Sequence, residues 1–233
     1  MNKMLRELCP PVLWTGLQRA KRKYLATANR VVKLDNPTEQ DLGVYWDPQM
    51  AALLETWGTG TVWHEITYLM SRLQGRVLDI ACGTGRNIQE LRSFERLEIH
   101  GCDISDLLIR KATERGVAEQ YLRVCDATQT GYPDNFFEYS YSIGSFEHFT
   151  ERGLQEVIAE AQRISKIASF NMVPVSRSGL DEGWVKTYQS YWLNSVDWWR
   201  EKFSASFPKV EVLDSLWQDD TAIGKWFICE KKS

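Results

Sequence analysis

The chain is 233 residues long, 43% hydrophobic and 25% charged, which suits one globular domain with a full core and excludes collagen-like, low-complexity and wholly disordered chains. No apolar run reaches the roughly 18–20 residues of a membrane span and no signal-peptide pattern opens the chain, so a cytoplasmic protein is expected. The net charge of −3 conceals a division: residues 1–33 carry eight Lys/Arg against Glu7, a net of +7 that leaves −10 for the rest, and this is not the footprint of a chain that wraps nucleic acid.

Pro10-Pro11 leads into Leu13, Leu17, Ala20 and Tyr24, spaced as one apolar stripe of a helix opposite Arg19 to Lys23. Residues 1–35 are thus a basic amphipathic segment. Its part over residues 11–25 either meets an anionic membrane surface, at the inner face, or packs on its own domain. Residues 36–75 are expected to form a helical cap, in which Trp63, Ile66, Leu69, Met70 and Leu73 mark a helix closed by Gly75.

Residues 76–233 read as the core. Val77–Ala81 is a strand, a glycine turn follows, and Ile88–Leu91 resume helical spacing; strands at Leu97–Cys102, Leu122–Cys125, Phe137–Ile143 and Ile167–Val173 then alternate with helices at Leu107–Ala112 and Leu154–Ile164. This alternation calls for an α/β fold of the Rossmann-like kind, a mostly parallel sheet with helices on both faces. Val210–Leu213 and Lys225–Cys229, separated by a turn at Asp219-Asp220, add a C-terminal antiparallel edge. Four tryptophans precede the first core strand and six lie from Trp184 on, so residues 174–208 form an aromatic-rich flank expected to shape an acceptor pocket. The five cysteines (Cys9, Cys82, Cys102, Cys125, Cys229) are odd in number and form no C-x-x-C pair, which implies neither a disulfide framework nor a zinc site, and no metal is expected.

The segment Val77-Leu78-Asp79-Ile80-Ala81-Cys82-Gly83-Thr84-Gly85-Arg86-Asn87 sits on the first strand and the turn after it. Gly83 and Gly85 allow a sharp turn and close approach of a ligand, and Asp103, at the end of the second strand, suits a ribose diol. A dinucleotide site needs a third glycine, but Ile88 stands there, and Asp79 disfavours a pyrophosphate while suiting a cationic ligand. An adenosine carrying an ammonium and no phosphate meets these demands.

This segment resembles the first motif of class I S-adenosylmethionine-dependent methyltransferases. Gly101-Cys102-Asp103-Ile104-Ser105 resembles the second motif and Cys125-Asp126-Ala127 the third, while Tyr141 to Phe149 resembles the segment after the fourth strand. The resemblance runs in order through most of residues 76–175 and implies S-adenosylmethionine as cofactor. It implies that Asp79 and Gly83 hold the methionyl moiety, that Ala81, Cys82, Gly85 and Asn87 also bind the cofactor, that Asp103 takes the ribose hydroxyls, and that Ile104 packs on the adenine. Asp126 and Ala127 would meet the adenine amino group, and Ile143 and Gly144 would close over the sulfonium side.

A hydroxyl acceptor needs a base near the transition state, and His148 with Glu147 behind the fourth strand is the candidate pair, a structural Glu-His pair being the alternative. Arg177, Trp184, Lys186 and Tyr188 lie in a polar, cationic loop after the fifth strand, and either cation would suit an acceptor phosphate or carboxylate. The Asn/Asp-Pro-Pro-aromatic run of nucleobase methyltransferases is replaced by Ser142-Ile143-Gly144-Ser145, against a nucleic-acid acceptor. The pattern looks like methyltransferases of surface-glycan biosynthesis, which implies O-methylation of a sugar or a phosphorylated glycan precursor. N-methylation of a small molecule, a nicotinamide-dependent oxidoreductase and a non-catalytic cofactor-binding module remain as alternatives.

Overall fold

In the computed structural model the described residues are 32–33, 39–186 and 188–231. The amphipathic helix expected within residues 11–25 lies outside them. No helix among the described residues is long and apolar enough to cross a membrane.

The core is a seven-stranded sheet. Strands β2 (Gly75–Ile80), β3 (Leu97–Asp103), β4 (Leu122–Val124), β5 (Phe137–Ile143) and β6 (Ser165–Ser176) run parallel in the order β4-β3-β2-β5-β6. The sheet closes with β9 (Lys209–Gln218) and β10 (Ala222–Glu230). The last strand inserts antiparallel between β6 and β9, so β9 forms the edge. This is the mostly parallel sheet with an antiparallel edge that the alternation of apolar runs calls for.

Period-two alternation puts Leu78 and Ile80 of β2 in one buried cluster and Val77 in another, so both faces of the sheet are covered. On the first face packs α5 (Glu151–Ile164), whose Leu154, Val157, Ile158, Ala161 and Ile164 are fully or almost fully buried at helical spacing. Each of the larger of these side chains contributes roughly 1.5–3 kcal/mol by leaving water. Thr150 starts the helix by accepting a bond from the Gly153 N–H at 3.2 Å. Helices α3 (Arg86–Leu91) and α4 (Asp106–Glu114) follow β2 and β3.

Several sequence expectations change. Gly75 does not close a helix: α2 (Val62–Met70) ends earlier, and Gly75 opens β2 at φ 108°, where a Cβ would fall 2.7 Å from Glu138 Oε2. That same carboxylate accepts the Arg76 N–H at 2.7 Å. The cap also holds a 3-10 turn (Leu42–Trp46) and α1 (Pro48–Leu54), begun by Asp47 accepting the Gln49 N–H at 2.8 Å. The fifth core strand runs on through Pro174, Val175 and Ser176, because β10 pairs alongside them, and Pro174 lies beyond the end of β5, where its missing N–H costs no bond to that neighbour. The polar loop expected through Tyr188 instead contains β7 (Trp184–Lys186), and β8 (Ser190–Trp192) and α6 (Val196–Ser204) follow it. Strand β7 pairs on one side with β8 and on the other with β1 (Val32–Lys33) in a small antiparallel sheet over the cap.

Candidate active site

The C-terminal ends of β2, β3, β4 and β5 open into one cavity of about 940 Å³, the place where open α/β sheets take their ligands. Its first wall is the turn after β2. Ala81 and Gly83 both take positive φ, 57° and 54°, and the Gly83 N–H donates to Asp103 Oδ2 at 2.9 Å. The other oxygen of Asp103 accepts the Ser105 N–H at 2.9 Å, so one carboxylate at the end of β3 fixes two loops. Burial raises it to about 6, against the backbone bonds that lower it.

Ile88 fits where a dinucleotide fold has glycine because the space comes from the neighbouring strand. A Cβ on Gly101 of β3 would lie 2.6 Å from Ile88 and 2.8 Å from the Cys82 sulfur. Gly101 thus does the packing work of the missing third glycine, while the turn keeps its own two.

Of the residues the resemblance assigns to the cofactor, Ala81, Cys82, Gly83, Asn87, Asp103, Ile104, Asp126, Ala127, Ile143 and Gly144 border the cavity. Asp79 and Gly85 do not. Asp79 is buried behind the turn and accepts the Tyr141 hydroxyl at 3.0 Å, and burial pushes its carboxyl well above the usual range. Gly85, at φ 71°, faces Ala112, 2.8 Å from where a Cβ would stand, and seats the turn on α4. Both therefore support the turn from behind. Asp126 directs Oδ1 to the Thr128 N–H and hydroxyl, at 2.8 and 2.7 Å, leaving Oδ2 for a ligand. The Asn87 amide oxygen is buried without a partner.

These groups fit S-adenosylmethionine: carboxylates for the ribose and the adenine amino group, bare glycine backbone at the turn, an unmet buried amide, and an apolar side chain at Ile104. Gly144, at φ 61°, carries the ring of Trp57 against it, 2.6 Å from where a Cβ would be. The cap thereby closes directly on the end of β5. Among the described residues no group of His, Cys, Asp and Glu is arranged to hold a metal ion.

The second wall begins at the 3-10 turn Phe146–His148. His148 Nδ1 lies 2.8 Å from the Ser190 carbonyl oxygen, an atom that only accepts, so Nδ1 bears the proton and Nε2 a lone pair. Burial depresses the imidazole to about 4, and it is neutral at pH 7. Glu147 is 3% exposed, its Oε2 has no partner, and burial raises it to about 8. Its Oε1 stands 3.7 Å from His148 Nε2, too far for a hydrogen bond and near enough for charge to be felt.

The cap and the small sheet hold this pair in place. Asp41 Oδ2 accepts the Ser190 N–H at 2.8 Å, and Gln40 donates to the His148 carbonyl at 3.1 Å. Tyr45, Trp57, Gln189, Tyr191, Trp217 and the turn at Asp219-Asp220 also line the cavity; no sequence motif marks them, although the crowding of tryptophan in the flanks is a signal for Trp57 and Trp217.

Three of the four acceptor residues expected from sequence do not border the cavity. Arg177 donates to Gln218 and to the Asp219 carbonyl, at 2.9 and 2.7 Å. Lys186 is paired with Asp41 at 3.0 Å. Trp184 is 3% exposed and packs edge-on to Trp192 at 5.1 Å. These residues belong to a paired hairpin and a tied turn, which aim side chains at the protein's own core and carboxylates. Tyr188 alone borders the cavity, with its hydroxyl donating to Asp47 at 2.9 Å.

Residues 77–167 match a family model described as a methyltransferase domain. A comparison with curated proteins gives no match. Among solved structures, the PH0226 protein of Pyrococcus horikoshii OT3 is 21% identical with a TM-score of 0.59, over 84% of this chain and 96% of that one. The 1,6-didemethyltoxoflavin-N1-methyltransferase of Burkholderia thailandensis, solved with its namesake substrate and S-adenosylhomocysteine, is 12% identical with a TM-score of 0.63, over 87% and 95%. A putative methyltransferase of Haloferax volcanii, in complex with the Trm112 activator, is 13% identical with a TM-score of 0.63, over 84% and 100%. Over residues 77–167 the chain thus matches a methyltransferase domain, and its fold is that of these solved methyltransferase structures.

Proposed function

We propose that this methyltransferase moves the donor methyl to a hydroxyl of a small, sugar-type acceptor. The observation that carries the reading is the tautomer of His148: Nδ1 is committed to the Ser190 carbonyl, and Nε2 is left as a proton acceptor on a residue that borders the cavity of the cofactor turn. When bound, S-adenosylmethionine supplies a methyl group on a cationic sulfur, ready for in-line displacement. The chain's own work is then alignment, exclusion of water and removal of one proton.

Asp103 would hold the ribose hydroxyls, Asp126 Oδ2 the adenine amino group, and Ile104 would lie beside the base. Ile143 and bare Gly144, with Trp57 laid over it, keep water from the reacting end. His148 Nε2 takes the acceptor proton. The imidazolium so formed faces Glu147 Oε1 at 3.7 Å; its charge favours loss to solvent of one of the two protons the pair then holds, Glu147's own or the one from the acceptor, and this returns the pair to its starting state of one proton.

The phosphorylated form of this acceptor loses its support, because Arg177 and Lys186 are engaged elsewhere. The test is a screen of sugars and glycan precursors with methyl-labelled donor, followed by NMR of the product. An O-methyl carbon supports the reading, and label found only on nitrogen sinks it.

A further inference from the structure

The charge on the acceptor side of the cavity has one sign. Among the described residues the only Lys or Arg that borders the cavity is Arg86. Its guanidinium lies over the Trp63 ring at 4.5 Å and pairs with Glu90 at 2.8 Å. Asp103 and Asp126 belong to the cofactor end, which leaves Glu147, Asp219 and Asp220 for the acceptor. Asp219 uses Oδ1 to accept the Thr221 and Ala222 N–H groups, both at 2.7 Å, and so builds the turn between β9 and β10. Asp220, next to it, has no hydrogen bond or ion pair among the described residues.

Glu147 is the independent observation. It is 3% exposed, it borders the cavity, and Oε2 meets no donor. A carboxyl oxygen stripped of water and left without a donor calls for one from a ligand. Tyr191 borders the same cavity with its ring 6.2 Å from that of His148, and burial raises its phenol against a hydrogen bond with Thr221 that lowers it. Trp57 and Trp217, at 5.3 Å and 40° to each other, line the same cavity. Carboxylates set among indole and phenol faces are a receptor for a cation and a poor one for an anion.

We infer that the acceptor carries a protonated amine beside its hydroxyls, held by Glu147 and Asp220 among Tyr191 and Trp217, and bears no phosphate or carboxylate. This rests on the methyltransferase reading above and names the substrate class of the same site. The amine anchors the molecule, and a neighbouring hydroxyl meets His148. A phosphate here would face the Asp219 and Asp220 carboxylates and the unpartnered Glu147 carboxyl, and the one cation on the lining among the described residues, Arg86, is paired with Glu90 and laid over Trp63.

The test uses the full chain saturated with S-adenosylhomocysteine and follows tryptophan fluorescence. The probes are amino sugars and amino alcohols, their neutral hydroxyl counterparts and their phosphates, each also offered for labelled methyl transfer. The amines should bind about tenfold tighter than their neutral counterparts, as one charge-assisted hydrogen bond gives, and Glu147→Gln should remove most of that preference. Asp220→Asn, at an exposed position, should reduce it in part. Glu147→Gln should leave S-adenosylhomocysteine affinity within about twofold, since its amine partner is the acceptor. The inference is overturned if no amine binds better than its neutral or phosphorylated counterpart. It is equally overturned if Glu147→Gln weakens the homocysteine ligand instead, which would make Glu147 a donor contact. Failure of the wild-type chain to bind S-adenosylhomocysteine in calorimetry marks the separate failure of the underlying reading.

Discussion

His148 and Ser190 are joined through an Nδ1–H to carbonyl bond of 2.8 Å, while the N–H of Ser190 is held at 2.8 Å by Asp41. Three segments far apart in the chain thus set which imidazole nitrogen carries the proton. His148→Gln should reduce methyl transfer by roughly 10²–10⁴-fold, the span of a general base, with S-adenosylhomocysteine affinity unchanged. With the imidazole depressed to about 4, kcat/KM should show no rise between pH 6 and 7, where a free histidine titrates. A pH–rate profile from 4 to 9 checks this, and a limb near 6.5 would contradict it.

Asp41 is a positioning residue. Burial raises its carboxyl, but the bonds from Ser190 and Lys186 outweigh that and hold it below the usual range. Asp41→Asn weakens the grip on Ser190 while keeping the shape. The expected result is a lower kcat with the KM for the donor unchanged, read from initial rates at varied S-adenosylmethionine.

Gly144→Ala tests how the cap closes. The alanine would take a left-handed conformation at a cost of about 1–2 kcal/mol, and its Cβ would strike Trp57. Thermal stability and donor affinity should both fall. Adding Trp57→Phe, which removes the atoms in the way, should recover part of the loss, so the two changes are non-additive in a double-mutant cycle.

Glu147 makes stability depend on pH. Its carboxyl titrates near 4.5 when unfolded and about 8 when folded, so between those values the native state holds one proton more than the unfolded state. Stability conferred by the protonated form is complete below about 4.5 and falls as pH rises toward 8. Glu147→Gln cannot ionise, so it should gain on wild type through that window, by at most about 1.4 kcal/mol per pH unit, and the gain should level off above 8. Urea melts at pH 5, 6.5 and 8 measure the difference.

The core was legible because its signals are local. Val77–Ile80, Phe137–Ile143 and the α5 stripe each show their period within a single element, and the glycine turn after β2 and Asp103 sit at strand ends that those periods locate. The acceptor wall has no such local mark. Residues 40–57, 188–191 and 217–222 meet only because the cap folds back and β10 inserts beside β6. Arg177 and Lys186 were read from charge alone, but their partners stand 41 and 145 residues away, and a sequence window does not show where a cation points. Helix α1 carries the starting signal Asp47-Pro48 but no apolar stripe that marks its length, because its seven residues bury only Met50 and Ala51.

The central claim is that the cavity at the ends of β2 to β5 binds the methyl donor. Calorimetric titration of the folded chain with S-adenosylhomocysteine, beside Asp103→Asn as control, tests it most directly. Saturable one-to-one binding is expected, falling at least tenfold in the variant, because the amide accepts only one of the Gly83 and Ser105 N–H groups and loses the charge toward the ribose hydroxyls. No binding by the folded wild-type chain, or equal binding by both, would contradict it.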